Sequence, residues 1–159
     1  LLLTLCPMTN DPENLGLIIR TSAAFGAAAV LVGRAGADPF SRRVLRTSMG
    51  AVLDLPIITT SDWHAALAVL HQHAVQTMAA VVCQTAMPLS GTPRHARVAL
   101  LMGNEDQGLP EELATMCRHR VTLPMTGGVG SLNVAVAAGI LLHHFAAGAG
   151  EPACQPGAP

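Results

Sequence analysis

Three short stretches carry polar residues at spacings that could do chemistry: Asn14-Leu15-Gly16-Leu17-Ile18-Ile19-Arg20, Gly103-Asn104-Glu105-Asp106-Gln107-Gly108, and Gly127-Gly128-Val129-Gly130-Ser131-Leu132-Asn133. In the third, glycines free the backbone for conformations that a Cβ disfavours. Ser131 is placed to cap a helix opening at Leu132, which leaves the N–H groups of Leu132 and Asn133 to the cap or to a ligand. Glycine and proline alone mark an ordinary strand–turn–helix junction. Asn133 shifts the balance toward a small-molecule cradle, because an amide just inside an apolar helix has four hydrogen-bonding positions to satisfy. In the first stretch Gly16 and Arg20 are four residues apart and share a helix face, so the absent side chain of one leaves room for whatever the other reaches. A solvent-facing arginine is the ordinary alternative. The second stretch is not a Walker phosphate loop, since the chain contains no lysine and the spacing differs. An acidic loop suits a cationic ligand better than a phosphate, and Glu105 capping a local turn is the alternative. No GxGxxG follows the first strand, which leaves a dinucleotide site unsupported.

The elements that must position these stretches alternate. Leu1 to Cys6 reads as a buried strand, Asn14 to Gly26 as a helix, and Ala29 to Val32 as a second strand, the start of a parallel sheet. A helix is expected over Ser41 to Leu53, a strand over Leu55 to Thr59, and a helix from Ser61 or Asp62 to His71–His73. Strands follow at Met78 to Cys83 and Val98 to Met102, with a surface loop from Pro88 to Arg97 between them. Pro110 and two acids open another helix. Val121 to Leu123 is a last strand, stopped by Pro124. The pattern predicts a three-layer α/β domain with a mostly parallel sheet over 1–147, with ligands at the carboxyl ends of the strands. The stretch 148–159 is small, proline-rich and aperiodic, and is expected to be a flexible tail.

Composition narrows the function. At 159 residues the chain suits one domain, and 50% hydrophobic residues with a mean hydropathy of +0.43 imply apolar surface facing a partner. No run reaches the roughly 18 apolar residues of a membrane span, and Leu1 to Leu5 lacks the basic flank and cleavage site of a signal peptide; a cytoplasmic protein is expected. Cys6, Cys83, Cys117 and Cys154 form no CxxC, His71 and His73 point to different helix faces, and neither they nor His143-His144 suit a metal. Formal net charge is −1, yet five arginines (Arg20, Arg34, Arg42, Arg43, Arg46) stand against Asp38 alone between residues 20 and 50. That segment is equally a phosphate-binding face and a solvated helix surface. With 3% aromatic residues, no platform exists for stacking single-stranded bases.

Asn14-Gly16-Arg20 running on to Ala23-Ala24-Phe25-Gly26, the GNE-x-x-G loop, and Leu123-Pro124-Met125 followed by SLNVAVAAGILL resemble, in order, the three signatures of the SpoU/TrmH family, RNA 2′-O-ribose methyltransferases of the SPOUT class. Arg46-Thr47-Ser48-Met49-Gly50-Ala51 is also similar to that family. Gly130 departs from it, standing where many members carry an acid. The resemblance implies a SPOUT fold with a C-terminal trefoil knot and a homodimer with its active site at the subunit boundary. It further implies S-adenosylmethionine (SAM) held in bent form around Met102, Gly103, Gly108, Leu123, Met125 and Leu132. Arg20, Asn14, Glu105, Ser131 and Asn133 would form the catalytic set, and Arg20, Arg42, Arg43 and Arg46 would meet ribosomal or transfer RNA. No metal is implied. Hydrogen bonding by Arg20 to the 2′-hydroxyl and a phosphate is preferred to general-base catalysis, because guanidinium stays protonated. Two rivals are a catalytically inactive knotted RNA-binding or assembly module, and a SAM enzyme for a small molecule. Many members carry an N-terminal RNA-selecting domain; the start at Leu1 and the near-neutral charge lead to the expectation that this chain lacks one.

Overall fold

Leu2–Cys6 is apolar at every position but Thr4, the pattern of a strand covered on both faces, and all five residues are buried as strand β1. The structure is a computed structural model that describes residues 1–104, 106–128 and 130–146; the expected tail at 148–159 lies outside them. Helix α1 is Pro12–Ala24, β2 Ala29–Gly33, α2 Arg42–Thr47, α3 Ala51–Asp54, β3 Ile57–Thr60, α4 Trp63–Gln72 and β4 Gln76–Ala80. β5 is Met87–Pro88, β6 Val98–Leu101, α5 Glu111–Met116, β7 His119–Thr122 and α6 Val134–Ala146. The strands form one sheet in the order β3-β2-β1-β6-β4-β7-β5, and every strand pair in it is parallel.

Alternation along the strands divides the interior in two. Leu2 and Cys6 of β1, Val30 and Val32 of β2, and Val98 and Leu100 of β6 face a core shared with α1, α2, α3 and α6. Leu3, Leu5, Leu31, Ala99 and Leu101 face Trp63 and Leu67 of α4 and Leu113 of α5. This is the three-layer architecture. Thr4, the polar residue of β1, is fully buried and shares a 2.8 Å hydrogen bond with Ser22 on α1, so its hydroxyl is not left unpaired. The sheet ends on short or half-exposed edges: β3 is only partly buried, and β5 has two residues, one of them proline, which cannot extend a ladder.

Helix starts follow capping chemistry. Asp11 accepts from the Glu13 N–H with Pro12 in the first turn, and Asp62 accepts from Ala65. Two expectations are corrected. The single helix over Ser41 to Leu53 is broken into α2 and α3, because Met49 (φ 52°) and Gly50 (φ 85°) are both left-handed and cannot continue a right-handed helix. The loop over Pro88 to Arg97 is partly ordered, with Pro88 ending β5 and Leu89–Gly91 forming a 3-10 turn.

Gly16 serves a different purpose from the one expected. A Cβ there would lie 1.8 Å from Thr47 Oγ1 and 3.2 Å from the Ser48 nitrogen, so the missing side chain admits the end of α2 rather than a ligand of Arg20. Gly16→Val should therefore cost ~1–3 kcal/mol of stability by overpacking, read as a lowered midpoint in urea. A second expected outcome concerns pH. Burial, then the charge of Arg118, holds the His71 pKa below its ordinary value of 6.5; burial, then the charges of His95 and Arg118, does the same for His119. For a base with a depressed folded pKa, the unfolded chain takes up the proton first as pH falls. The stability contributed by the neutral rings is complete above about pH 6.5 and is lost below it. Thermal midpoints should fall between pH 7.5 and pH 5, and less steeply in His71→Gln and His119→Gln.

Candidate active site

All the strands run the same way, so the loops after β1, β4, β6 and β7 leave the sheet at one edge, and there they enclose a cleft of about 1080 Å³. Its floor is apolar: Met102 at the end of β6, Leu123 and Met125 after β7, and Leu132, Val134 and Leu141 on the approach to and along α6. Asn14 of α1 lines it, as do Gly103, Gly108, Gly130, Ser131 and Asn133. The second and third glycine stretches thus line one continuous hollow.

Each stretch is shaped by its own polar chemistry. In the loop after β6, Asn104 Oδ1 accepts the N–H groups of Asp106 (2.8 Å) and Gln107 (3.1 Å), while the backbones of Asn104 and Gly108 exchange two hydrogen bonds. Gly108 closes this turn at φ +71°, and Gly103 must lack a Cβ because one would lie 2.5 Å from the Gly108 carbonyl carbon. Glu105 lies outside the described residues. In the third stretch the expected cap is corrected: α6 opens at Val134, and Asn133, not Ser131, caps it, accepting from Ala135 (2.9 Å) and Val136 (3.3 Å). Nδ2 of Asn133 then donates to Asn14 Oδ1 at 3.0 Å. The amide is thus satisfied mainly by the chain, and it joins the first signature to the third across 119 residues. Ser131, freed of capping, is exposed on the cleft wall.

Arg20 is elsewhere. It is exposed on α1, does not line the cleft, and its side chain makes no hydrogen bond or ion pair with the described residues. It shares its helix face with Leu17 and Ala24, and Leu17 is exposed. Arg42 and Arg46 are exposed on α2, whereas Arg43 pairs with Glu13 and ties α2 to α1.

Sequence reasoning missed the other end of the cleft, walled by Cys83, Glu111 and Arg120. Arg120 holds Glu111 and bonds Thr115 Oγ1 at 2.9 Å, which keeps the Glu111 carboxyl below its ordinary pKa. Thr85, 3.0 Å from the Cys83 sulfur, lowers that thiol's pKa, with Arg120 adding to the effect. Burial raises Cys117, outside the wall, to about 11. No spacing signal unites Cys83, Glu111 and Arg120, which leave three different elements. Among the described residues no group of three or more His, Cys, Asp or Glu side chains is arranged to hold a metal, and no helix is long and apolar enough to cross a membrane.

Residues 3–143 match the model of the SpoU rRNA Methylase family. The chain belongs to this family. Among its relatives, an uncharacterized tRNA/rRNA methyltransferase of Mycobacterium tuberculosis is 37% identical over 137 residues, 84% of this chain and 48% of that protein. A 23S rRNA (guanosine-2′-O-)-methyltransferase of Acinetobacter baylyi is 35% identical over 144 residues, 90% of this chain and 58% of that one. The AdoMet-bound rRNA methyltransferase of Sinorhizobium meliloti superimposes with a TM-score of 0.83 at 34% identity, covering 94% of this chain and 57% of that chain. The chain spans about half the length of the curated relatives it matches.

The two glycines of the cleft loops make separable predictions. Gly103→Val should open the loop after β6 and weaken any ligand that the cleft binds by tenfold or more, since backbone cannot yield cheaply. A Cβ at Gly130 meets nothing within 4 Å, so Gly130→Ala should leave the thermal midpoint of the free protein within about 1 °C of the parent. Differential scanning calorimetry of both variants checks this.

Proposed function

We propose that this SpoU-family chain is the methyl-transferring part of a SAM-dependent RNA 2′-O-ribose methyltransferase. The observation that carries the proposal is the meeting of the second and third signature stretches with Asn14 of the first at one apolar-floored cleft, where Asn14 and Asn133 are hydrogen-bonded at the rim. Supporting it are the AdoMet-bound family neighbour from S. meliloti and the relative named for 23S rRNA guanosine 2′-O-methylation in A. baylyi. The residues present fit SAM. Met102, Leu123, Met125 and Leu132 offer an apolar seat for an adenine ring, the loops at Gly103–Gly108 and Gly130–Ser131 bring backbone groups to its polar edges, and Asp11 and Asp106 leave the wall without repulsion toward a cation. When bound, SAM would supply an electrophilic methyl on its sulfonium, whose transfer to a ribose 2′-oxygen would release S-adenosylhomocysteine and the hydroxyl proton.

In this proposal the chain's own residues align the nucleophile. Asn14 and Asn133 fix the rim, Ser131 presents a hydroxyl there, and Glu105 completes the catalytic set. Arg20 bonds the 2′-hydroxyl and the neighbouring phosphate from a second copy of the chain. Its distance from its own cleft and its place beside exposed Leu17 support that arrangement. Val136 (53% exposed) and Ile140 (42%) lie one turn apart on α6, which packs against α1. Such an apolar strip needs cover, and a homodimer supplies it. Arg42 and Arg46 extend the cationic surface toward RNA. The knotted SPOUT connection of the last loops, the one-domain reading of 1–147, an RNA-selecting domain outside this chain and a cytoplasmic setting belong to the same proposal.

Isothermal titration should detect SAM binding without RNA, and single-turnover assays on ribosomal and transfer RNA, with mapping of 2′-O-methyl sites, should detect transfer. No SAM binding by the parent protein would overturn the proposal. Arg20→Ala should slow transfer about a hundredfold, roughly 2.7 kcal/mol, with SAM affinity and folding intact. Arg20→Lys should rescue little, because an ammonium cannot reproduce the planar fork. Sedimentation should give a dimer for the parent, and Ile140→Glu should shift it to monomer and abolish transfer.

A further inference from the structure

Asn104 is 8% exposed and spends both ends of its amide. The oxygen accepts two N–H groups of its own loop, which fixes the orientation of the amide and turns the nitrogen outward. That nitrogen donates to the Met8 carbonyl at 2.8 Å, across 96 residues. Met8 belongs to the loop between β1 and α1, whose other side is clamped just as closely. A Cβ on Gly33 would lie 1.9 Å from the Pro7 oxygen, one on Gly36 would lie 2.6 Å from the Thr9 oxygen, and Ala37 donates to that same oxygen at 2.9 Å. Asn104 is therefore the cleft-side restraint on a segment that continues into the Asp11 cap, Asn14 and the helix carrying Arg20.

We propose that Asn104 is a positioning residue that couples occupancy of the cofactor loop to the placement of α1. A ligand seated on Gly103–Gly108 stiffens the turn that Asn104 organises, and the Nδ2 bond to Met8 passes that restraint to the start of α1, where Asn14 meets Asn133. This rests on the proposed function for the cleft's ligand. The tether itself can be read without any ligand.

The test uses Asn104→Asp, which keeps an acceptor for the N–H groups of Asp106 and Gln107 but sets a carboxylate against the Met8 carbonyl. Amide hydrogen exchange of the unliganded variant should be about tenfold faster over residues 8–15 and little changed over 103–109. On adding SAM, the parent should gain protection in both segments, the variant in 103–109 alone. With RNA, kcat should fall about tenfold while KM for SAM stays within about threefold, a split that a general loss of folding would not give. Unchanged exchange over 8–15 in the unliganded variant overturns the proposal, whether or not SAM binds. So does a loss that appears only in KM. If the parent shows no protection with SAM, the proposed function and the coupling both fall. Asn104→Ala, which also removes the acceptor, should unfold the loop as well and raise KM; an alanine variant with kcat and 8–15 exchange like the parent's likewise overturns the assignment.

Discussion

The structure depends on how main-chain polar groups are satisfied where parallel strands stop together at one edge. Inside the sheet the strands pair N–H with C=O, and the ladder reaches as far as Met102, whose N–H donates to the Leu5 carbonyl; beyond it the loop groups need other partners. Short polar side chains take over. Asp11, Asn104 and Asn133 each accept backbone N–H groups, and the two asparagines use their remaining amide hydrogens to reach Met8 and Asn14. The same bonds that finish the loops tie together the segments that line the cleft. Folding and site construction are one requirement here.

Much of the layer structure was legible because burial on two faces leaves a plain trace. Leu2–Cys6, Ala29–Gly33 and Val98–Leu101 are near-continuous apolar runs, and Asp11-Pro12 and Asp62 announce their helices. The break in the 41–53 helix was not legible, since Met49 is no ordinary left-handed residue and only the turn between α2 and α3 demands its φ of 52°. Capping of α6 was half legible. Ser131 and Asn133 are both good N-caps, and the choice is made by Asn14, a partner too distant in sequence for any local rule to weigh.

For the site, the family signatures pointed to most of the cleft wall but not to its shape. Leu123, Met125 and Leu132, which the resemblance assigns to the cofactor, line the cleft, and Leu123 also packs against the core. Cys83, Glu111 and Arg120 carry no such mark: they meet because β4 and β7 are neighbours in the sheet and α5 crosses beside them. Arg20 is the reverse case, prominent in sequence and absent from its own cleft. With a formal net charge of −1, attraction to any polyanion must be local, and the exposed arginines on α1 and α2 are where a local field can form, screened within about 8 Å at physiological salt.

The glycines separate what the chain needs from what a ligand needs. Gly16 and Gly103 are required by neighbours of the same chain, Thr47 and the Gly108 backbone, and Gly108, Gly127 and Gly128 by positive φ. Gly130 meets neither demand: it has open space around it, a φ outside the left-handed region, and a place on the cleft wall beside Ser131. The fold thus leaves this point of the cleft wall with neither a charge nor a side chain. The consequence falls on whatever enters the cleft, which meets a wider and more neutral approach at that point than an acidic residue would allow.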